Sequence, residues 1–212
     1  MTPNEYLDFT EPQEVIDRHI ARYVRAIEYV DETLQLHKGI WYDAGCGSGY
    51  GTSRMRGAWN IGCDQNEEAI ECARIGETGN VLYSHLGMWD IESIFKPGVI
   101  RAILCIHSFE HLDDQEQPHA LCAFWRLLEP GGVLWMCCPV DTIRKDGYPE
   151  SDRHHTNANP YHLSIPTTQE IVSGLKMAGF IADGQVTVVG HREYDATSGE
   201  RETEVEIVAR KL

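Results

Sequence analysis

A chain of 212 residues, 42% hydrophobic and 24% charged, is long enough to bury one substantial core, so a single domain is the simplest organisation. Its formal net charge of -15 offers no basic stripe from which counterion release could drive nucleic-acid binding, and nucleic acid is not an expected partner. No stretch approaches the run of about 18 apolar residues that a membrane span needs, and the N-terminus lacks the basic and apolar regions of a secretory signal; a cytoplasmic, non-membrane protein is expected.

In chain order, Thr10-Glu11-Pro12-Gln13 has the spacing of a capping box with Thr10 as N-cap. Ile16, Ile20, Tyr23, Ile27, Val30 and Leu34 then recur on one helical face. Residues 1–38 are therefore expected to form an N-terminal helical extension packed on a domain spanning 39–212. Ile40 to Ala44 is a short apolar strand that runs into a glycine-dense loop, after which a short helix is expected.

Trp59 to Asp64 is a second strand, followed by a helix that Asn66 can cap and Gly76 can end. Val81 to Leu86 supplies a third strand. Val99 to His107 and Gly132 to Cys138 are near-continuous apolar runs, the pattern of strands covered by helices on both faces. Between them, Asp113 to Leu128 is helical in period. Residues 140–166 are polar, without periodicity, and read as an insertion or lid. Thr167 to Glu170 is a second capping box for a helix ending near Gly179, and Ile181 to Val189 with Thr203 to Ala209 alternate as a closing hairpin. Strands alternating with helices predict an α/β fold, a three-layer α/β/α sandwich with a mostly parallel seven-stranded sheet and a C-terminal antiparallel hairpin.

The chemistry concentrates in Asp43-Ala44-Gly45-Cys46-Gly47-Ser48-Gly49. Glycines at alternate positions allow positive φ and a close backbone approach to a ligand, and a following helix N-terminus would aim amides into the crevice. The dinucleotide fingerprint G-x-G-x-x-G fails in register: its third glycine falls on Tyr50 or on Thr52, which disfavours a nicotinamide oxidoreductase. Asp64 ends the second strand, where an acid can accept hydrogen bonds from both hydroxyls of a ribose.

The D-x-G-x-G-x-G loop resembles motif I of class I S-adenosylmethionine-dependent methyltransferases, which have a Rossmann-like fold. Glu110-His111-Leu112 followed by Arg126-Leu127-Leu128-Glu129-Pro130-Gly131-Gly132 is similar to a small-molecule group that includes ubiquinone-type and sugar-modifying enzymes. The likeness covers about residues 40 to 182. It implies S-adenosylmethionine as cofactor, with contacts from Asp43, Gly45, Cys46, Gly47, Gly49, Asp64, Gln65, Met88, Trp89, Asp90, Ile106 and His107. It also implies methyl transfer to a small molecule by in-line displacement, with Tyr161 and His162 toward the substrate and His111 and His162 as candidates for catalysis.

Two features depart from that group. Ile100-Arg101 stands where an aromatic-Asp pair usually begins the fourth strand, and the stretch between Gly51 and Trp59 is short for a first helix. An inactive cofactor-binding relative and a nucleic-acid methyltransferase are the competing readings. The latter loses weight because His107-Ser108-Phe109-Glu110 replaces the Asn/Asp-Pro-Pro-aromatic sequence of amino-methylating DNA enzymes. His154, His155 and His162, with Asp141 and Asp152 nearby, are suitable ligand types, but their spacing matches no defined finger and no metal is expected. Seven cysteines, an odd number without a C-x-x-C pair, read as reduced and structural.

Overall fold

The computed structural model describes residues 12–33, 38–141, 162–195 and 201–212. Seven strands form one sheet: β1 (Ile40–Ala44), β2 (Trp59–Asp64), β3 (Val81–His85), β4 (Ile100–Ile106), β5 (Leu128–Pro139), β6 (Val186–Asp195) and β7 (Arg201–Arg210). Their order is β3-β2-β1-β4-β5-β7-β6. The first five pair in parallel, while β7 runs antiparallel to both β5 and β6. The chain steps outward from β1 to β3 and then returns to the other side of β1. That reversal opens a crevice between the carboxyl ends of β1 and β4, the place where open α/β sheets bind ligands.

Alternation along the strands sends side chains to two separate cores. In β4, Ile100, Ile103 and Cys105 join a cluster with Leu121 and Phe124 of α3 (Glu116–Leu127) and with Ile171 and Leu175 of α4 (Thr168–Ala178). Ala102, Leu104 and Ile106 point the other way, onto Tyr23, Ala26 and Ile27 of α1 (Gln13–Glu28). Each large apolar side chain buried in this way contributes about 1.5–3 kcal/mol, so covering both faces is what holds the three layers together.

Local signals explain the helix ends. Asn66 accepts from Ala69 N at 3.1 Å and starts α2 (Glu67–Ile75). Thr167 and Glu170 form a reciprocal capping box at α4, which ends on Gly179 at φ 133°. The first helix differs from expectation. It starts after Pro12, whose fixed φ suits a helix entrance, and no side chain caps it; Thr10 lies outside the described residues. Gln13 instead donates to Asp17 at 2.8 Å.

A second difference lies beside the crevice. No α-helix follows the glycine loop; a single 3₁₀ turn, Thr52–Arg54, occupies the stretch. Tyr23 of α1 fills the space instead, for a Cβ placed on Gly51 would fall 2.0 Å from its ring. The amides expected from a helix N-terminus are therefore absent there. The closing hairpin is also longer than predicted and shifted, since β6 begins at Val186 rather than Ile181.

Ion pairs bind α1 to β7. Buried Arg22 meets Glu204 at 2.7 Å, and Arg25 meets Glu206 at 2.5 Å. Burial alone would raise the Glu204 carboxyl, but the His107 hydrogen bond and Arg22 hold it down at about 2.

Candidate functional site

The loops after β1, β2, β3 and β4 converge on an open cleft lined by Gly45, Asp64, Gln65, Met88, Ser108, His111 and Leu112. Gly45 takes φ 78°, and a Cβ there would lie 2.4 Å from Cβ of Ser108. Only glycine fits both constraints. Ser108 is fixed in turn, since its hydroxyl donates to Ala44 O at 2.7 Å and lies 3.3 Å from Cys105 Sγ. The pair brings the ends of β1 and β4 into contact and forms the floor of the cleft.

Asp64 stands at the mouth. Its Oδ2 accepts from Gly47 N at 2.8 Å and its Oδ1 accepts from Asn66 N at 2.8 Å. A carboxylate has about four lone-pair sites, so two remain for a ligand's hydroxyls. Gly47 thus acts through Asp64, tying the glycine loop to the end of β2. Met88 and Leu112, both buried, give the cleft an apolar wall. An acid at one lip, a glycine set in the floor and an apolar wall suit a ligand that carries hydroxyls beside an apolar part.

Of the residues singled out from the sequence, Gly45, Asp64, Gln65, Met88 and His111 are brought together here. Several others lie elsewhere. Asp43 is fully buried below the loop, where its two oxygens accept from Tyr23 at 2.8 Å and from Thr52 at 2.5 Å. Burial pushes its carboxyl up to about 7. Its position is that of a latch between α1 and the glycine loop rather than a ligand contact. Cys46 packs with Ile70, Ala73, Val81 and Tyr83, while Gly49 abuts Tyr83. Ile106 faces the α1 core, because strand alternation turns it from the cleft.

His107 adopts φ 50° and turns to the α1 side, with Nε2 3.0 Å from Glu204 Oε2. Burial lowers it to about 3, so the ring is neutral and donates to that carboxylate. Trp89 packs against the main core, and Asp90 is exposed at the start of a 3₁₀ turn. Tyr161 and residues 142–160 of the polar segment lie outside the described residues.

Sequence reasoning missed Ser108 and Leu112. The signal for Ser108 was its size and its place just after β4, opposite a glycine. The far end of the polar segment, from His162, packs against the turn after β4. Leu163 N donates to Glu110 O at 2.9 Å, and Gln117 Nε2 donates to Ser164 O at 3.1 Å. His162 consequently stands beside His111, with ring centroids 5.3 Å apart.

Comparison with known proteins bears on the fold around this cleft. Residues 42–136 match a family model described as a methyltransferase domain. No curated protein matches the chain. Among solved structures, YcgJ of Bacillus subtilis is similar in fold (TM-score 0.69, 13% identity, covering 89% of this chain and 98% of that one). So is a SAM-dependent methyltransferase from Archaeoglobus fulgidus (TM-score 0.66, 17% identity, 96% of both chains). A third is a phosphoethanolamine N-methyltransferase of Haemonchus contortus in complex with phosphomonomethylethanolamine and S-adenosylhomocysteine (TM-score 0.60, 12% identity, 89% of this chain and 59% of that one). Over residues 42–136 the chain is thus similar to a methyltransferase domain, and its fold is one shared with S-adenosylmethionine-dependent methyltransferases. Among the described residues, no helix is long and apolar enough to cross a membrane.

Proposed function

We propose that this chain transfers a methyl group to a small-molecule acceptor. The observation that carries the reading is the cleft itself, where four strand ends deliver a glycine floor, a strand-end carboxylate and an imidazole to one opening. The net charge of -15 supports an acceptor that is not a polyphosphate. The Haemonchus contortus enzyme, whose structure holds a small phosphorylated amine, is a precedent for such chemistry on this fold.

When bound, S-adenosylmethionine supplies an electrophilic methyl on a sulfonium that is already a good leaving group. The chain's own work is then positioning. Asp64 accepts the ribose hydroxyls, Gly45 lets the amino acid portion lie against the backbone, and Met88 and Leu112 exclude water from one side. Holding an acceptor on the His111 side within attack distance converts a bimolecular displacement into a step within one complex. His162, beside His111, borders the same side, and we place it with His111 among the acceptor-facing groups.

Calorimetric titration with S-adenosylmethionine tests the cofactor assignment. Release of S-adenosylhomocysteine across a panel of hydroxyl, amine and carbon acceptors tests turnover. Tight cofactor binding with no product from any acceptor would favour a binding protein without activity, and failure to bind at all would overturn the reading.

A further inference from the structure

We propose that Glu110, His111 and His162 form a binding site for a divalent transition-metal ion at the wall of the cleft. The carboxylate and the two imidazoles each offer a ligand atom, and these atoms lie within 4.8 Å of one another. They come from two segments, the 3₁₀ turn Phe109–His111 and the chain that follows the polar insertion. That convergence is not a sequence-local accident.

Independent evidence comes from Glu110. Its side chain is 1% exposed, and Oε2 has no hydrogen-bond partner. A buried carboxylate oxygen without a donor is costly, and native structures rarely keep one without a purpose. The groups within ion-pair distance of this carboxylate are imidazoles, His107 at 3.5 Å and His162 at 4.0 Å. No arginine or lysine among the described residues pairs with it. A divalent cation would satisfy the carboxylate and engage a lone pair on each imidazole at the same time.

The frame around the three residues is already tied. Leu163 N and Ser164 N both donate to Glu110 O, at 2.9 and 3.3 Å, and Ser164 Oγ donates to Asp114 at 2.5 Å. Ligands about 2.1 Å from one tetrahedral ion sit roughly 3.4 Å apart. The ligand atoms lie within 4.8 Å of one another, so an ion would draw the widest pair together by at most about 1.4 Å. The second cluster of this kind, His107, Cys137 and Glu204, differs in one respect. Arg22 already neutralises Glu204 at 2.7 Å, so no cation is needed there.

Two imidazoles and one carboxylate suit zinc, iron, nickel or cobalt and leave coordination positions open. His111 also lines the cleft, so those positions face the acceptor side. On the methyltransferase reading, the matching acceptor is a small molecule with an ionisable hydroxyl. The metal site itself does not depend on that reading.

Cobalt(II) titration of the chelator-stripped full chain, followed by visible absorption, tests the site. One equivalent should bind with a ligand-field band. Glu110→Gln, His111→Ala and His162→Ala should each weaken binding at least tenfold, while His119→Ala on the exposed face of α3 should not. Absence of a stoichiometric band, or binding unchanged in a His111→Ala/His162→Ala double variant that melts like wild type, overturns the proposal. Calorimetry with S-adenosylmethionine on the metal-free chain reports separately on the cofactor, so the two assignments can fail independently.

Discussion

Replacing Asp64 with Ala removes the one carboxylate at the mouth of the cleft. In the wild type its oxygens already take Gly47 N and Asn66 N at 2.8 Å each, so its orientation is fixed before any ligand arrives. Hydrogen bonds to a charged partner are each worth about 1.5–3 kcal/mol. At about 1.4 kcal/mol per decade, loss of a single net interaction predicts S-adenosylmethionine affinity roughly 10- to 150-fold weaker. The same change frees two backbone donors, so stability should fall by about 1–3 kcal/mol as well. Asp64→Asn keeps one good acceptor and should fall between. Calorimetry at pH 7.5 with S-adenosylmethionine and S-adenosylhomocysteine measures the first effect, and urea unfolding measures the second. A folded Asp64→Ala variant whose affinity stays within twofold of wild type would refute the ribose assignment and leave Asp64 only as a clamp for the glycine loop.

Asp43→Asn tests the latch under the loop. Burial raises this carboxyl from 3.8 to about 7, so the folded state holds a proton that the unfolded chain has released. Its stabilising contribution is therefore complete below about pH 4 and is lost as pH rises toward 7, by at most about 4 kcal/mol. Between pH 5.5 and 7.5, above the isoelectric point of about 5.0, the melting temperature of the variant should depend less on pH than that of wild type; parallel curves would show that Asp43 does not titrate there. Arg22→Met strands the buried Glu204 carboxylate, and urea unfolding should show a loss of about 3 kcal/mol, the lower end for a broken buried pair because Arg25 and His107 remain. A change under about 1 kcal/mol would mean that water reaches the pair.

The sheet was legible because its signals are local. Apolar runs at β4 and β5 and the caps at Asn66 and Thr167 depend on neighbours a few residues away, and strands and helices form there. The glycine loop and Asp64 were legible because a strand followed by a sharp turn leaves few ways to present a backbone. What the sequence concealed was direction and long-range contact. Asp43 has the composition of a ligand contact, yet Tyr23, twenty residues earlier in the chain, and Thr52 claim both of its oxygens. His107 and Ser108 are adjacent, but φ 50° at His107 sends one ring to Glu204 and turns the next side chain toward the cleft. No periodicity encodes that reversal. The grouping of His162 with Glu110 and His111 was equally hidden, since it depends on how the segment after the insertion returns.

The ties from α1 to β7 have a bearing on how the molecule is made. Tyr23 supports the glycine loop from below, while Arg22 and Arg25 on the same helix pair with Glu204 and Glu206 of β7. A nascent chain therefore lacks these ion pairs beside its half-built ligand loop until β7 emerges. Competence of the loop thus waits on contacts that span 182 residues in sequence.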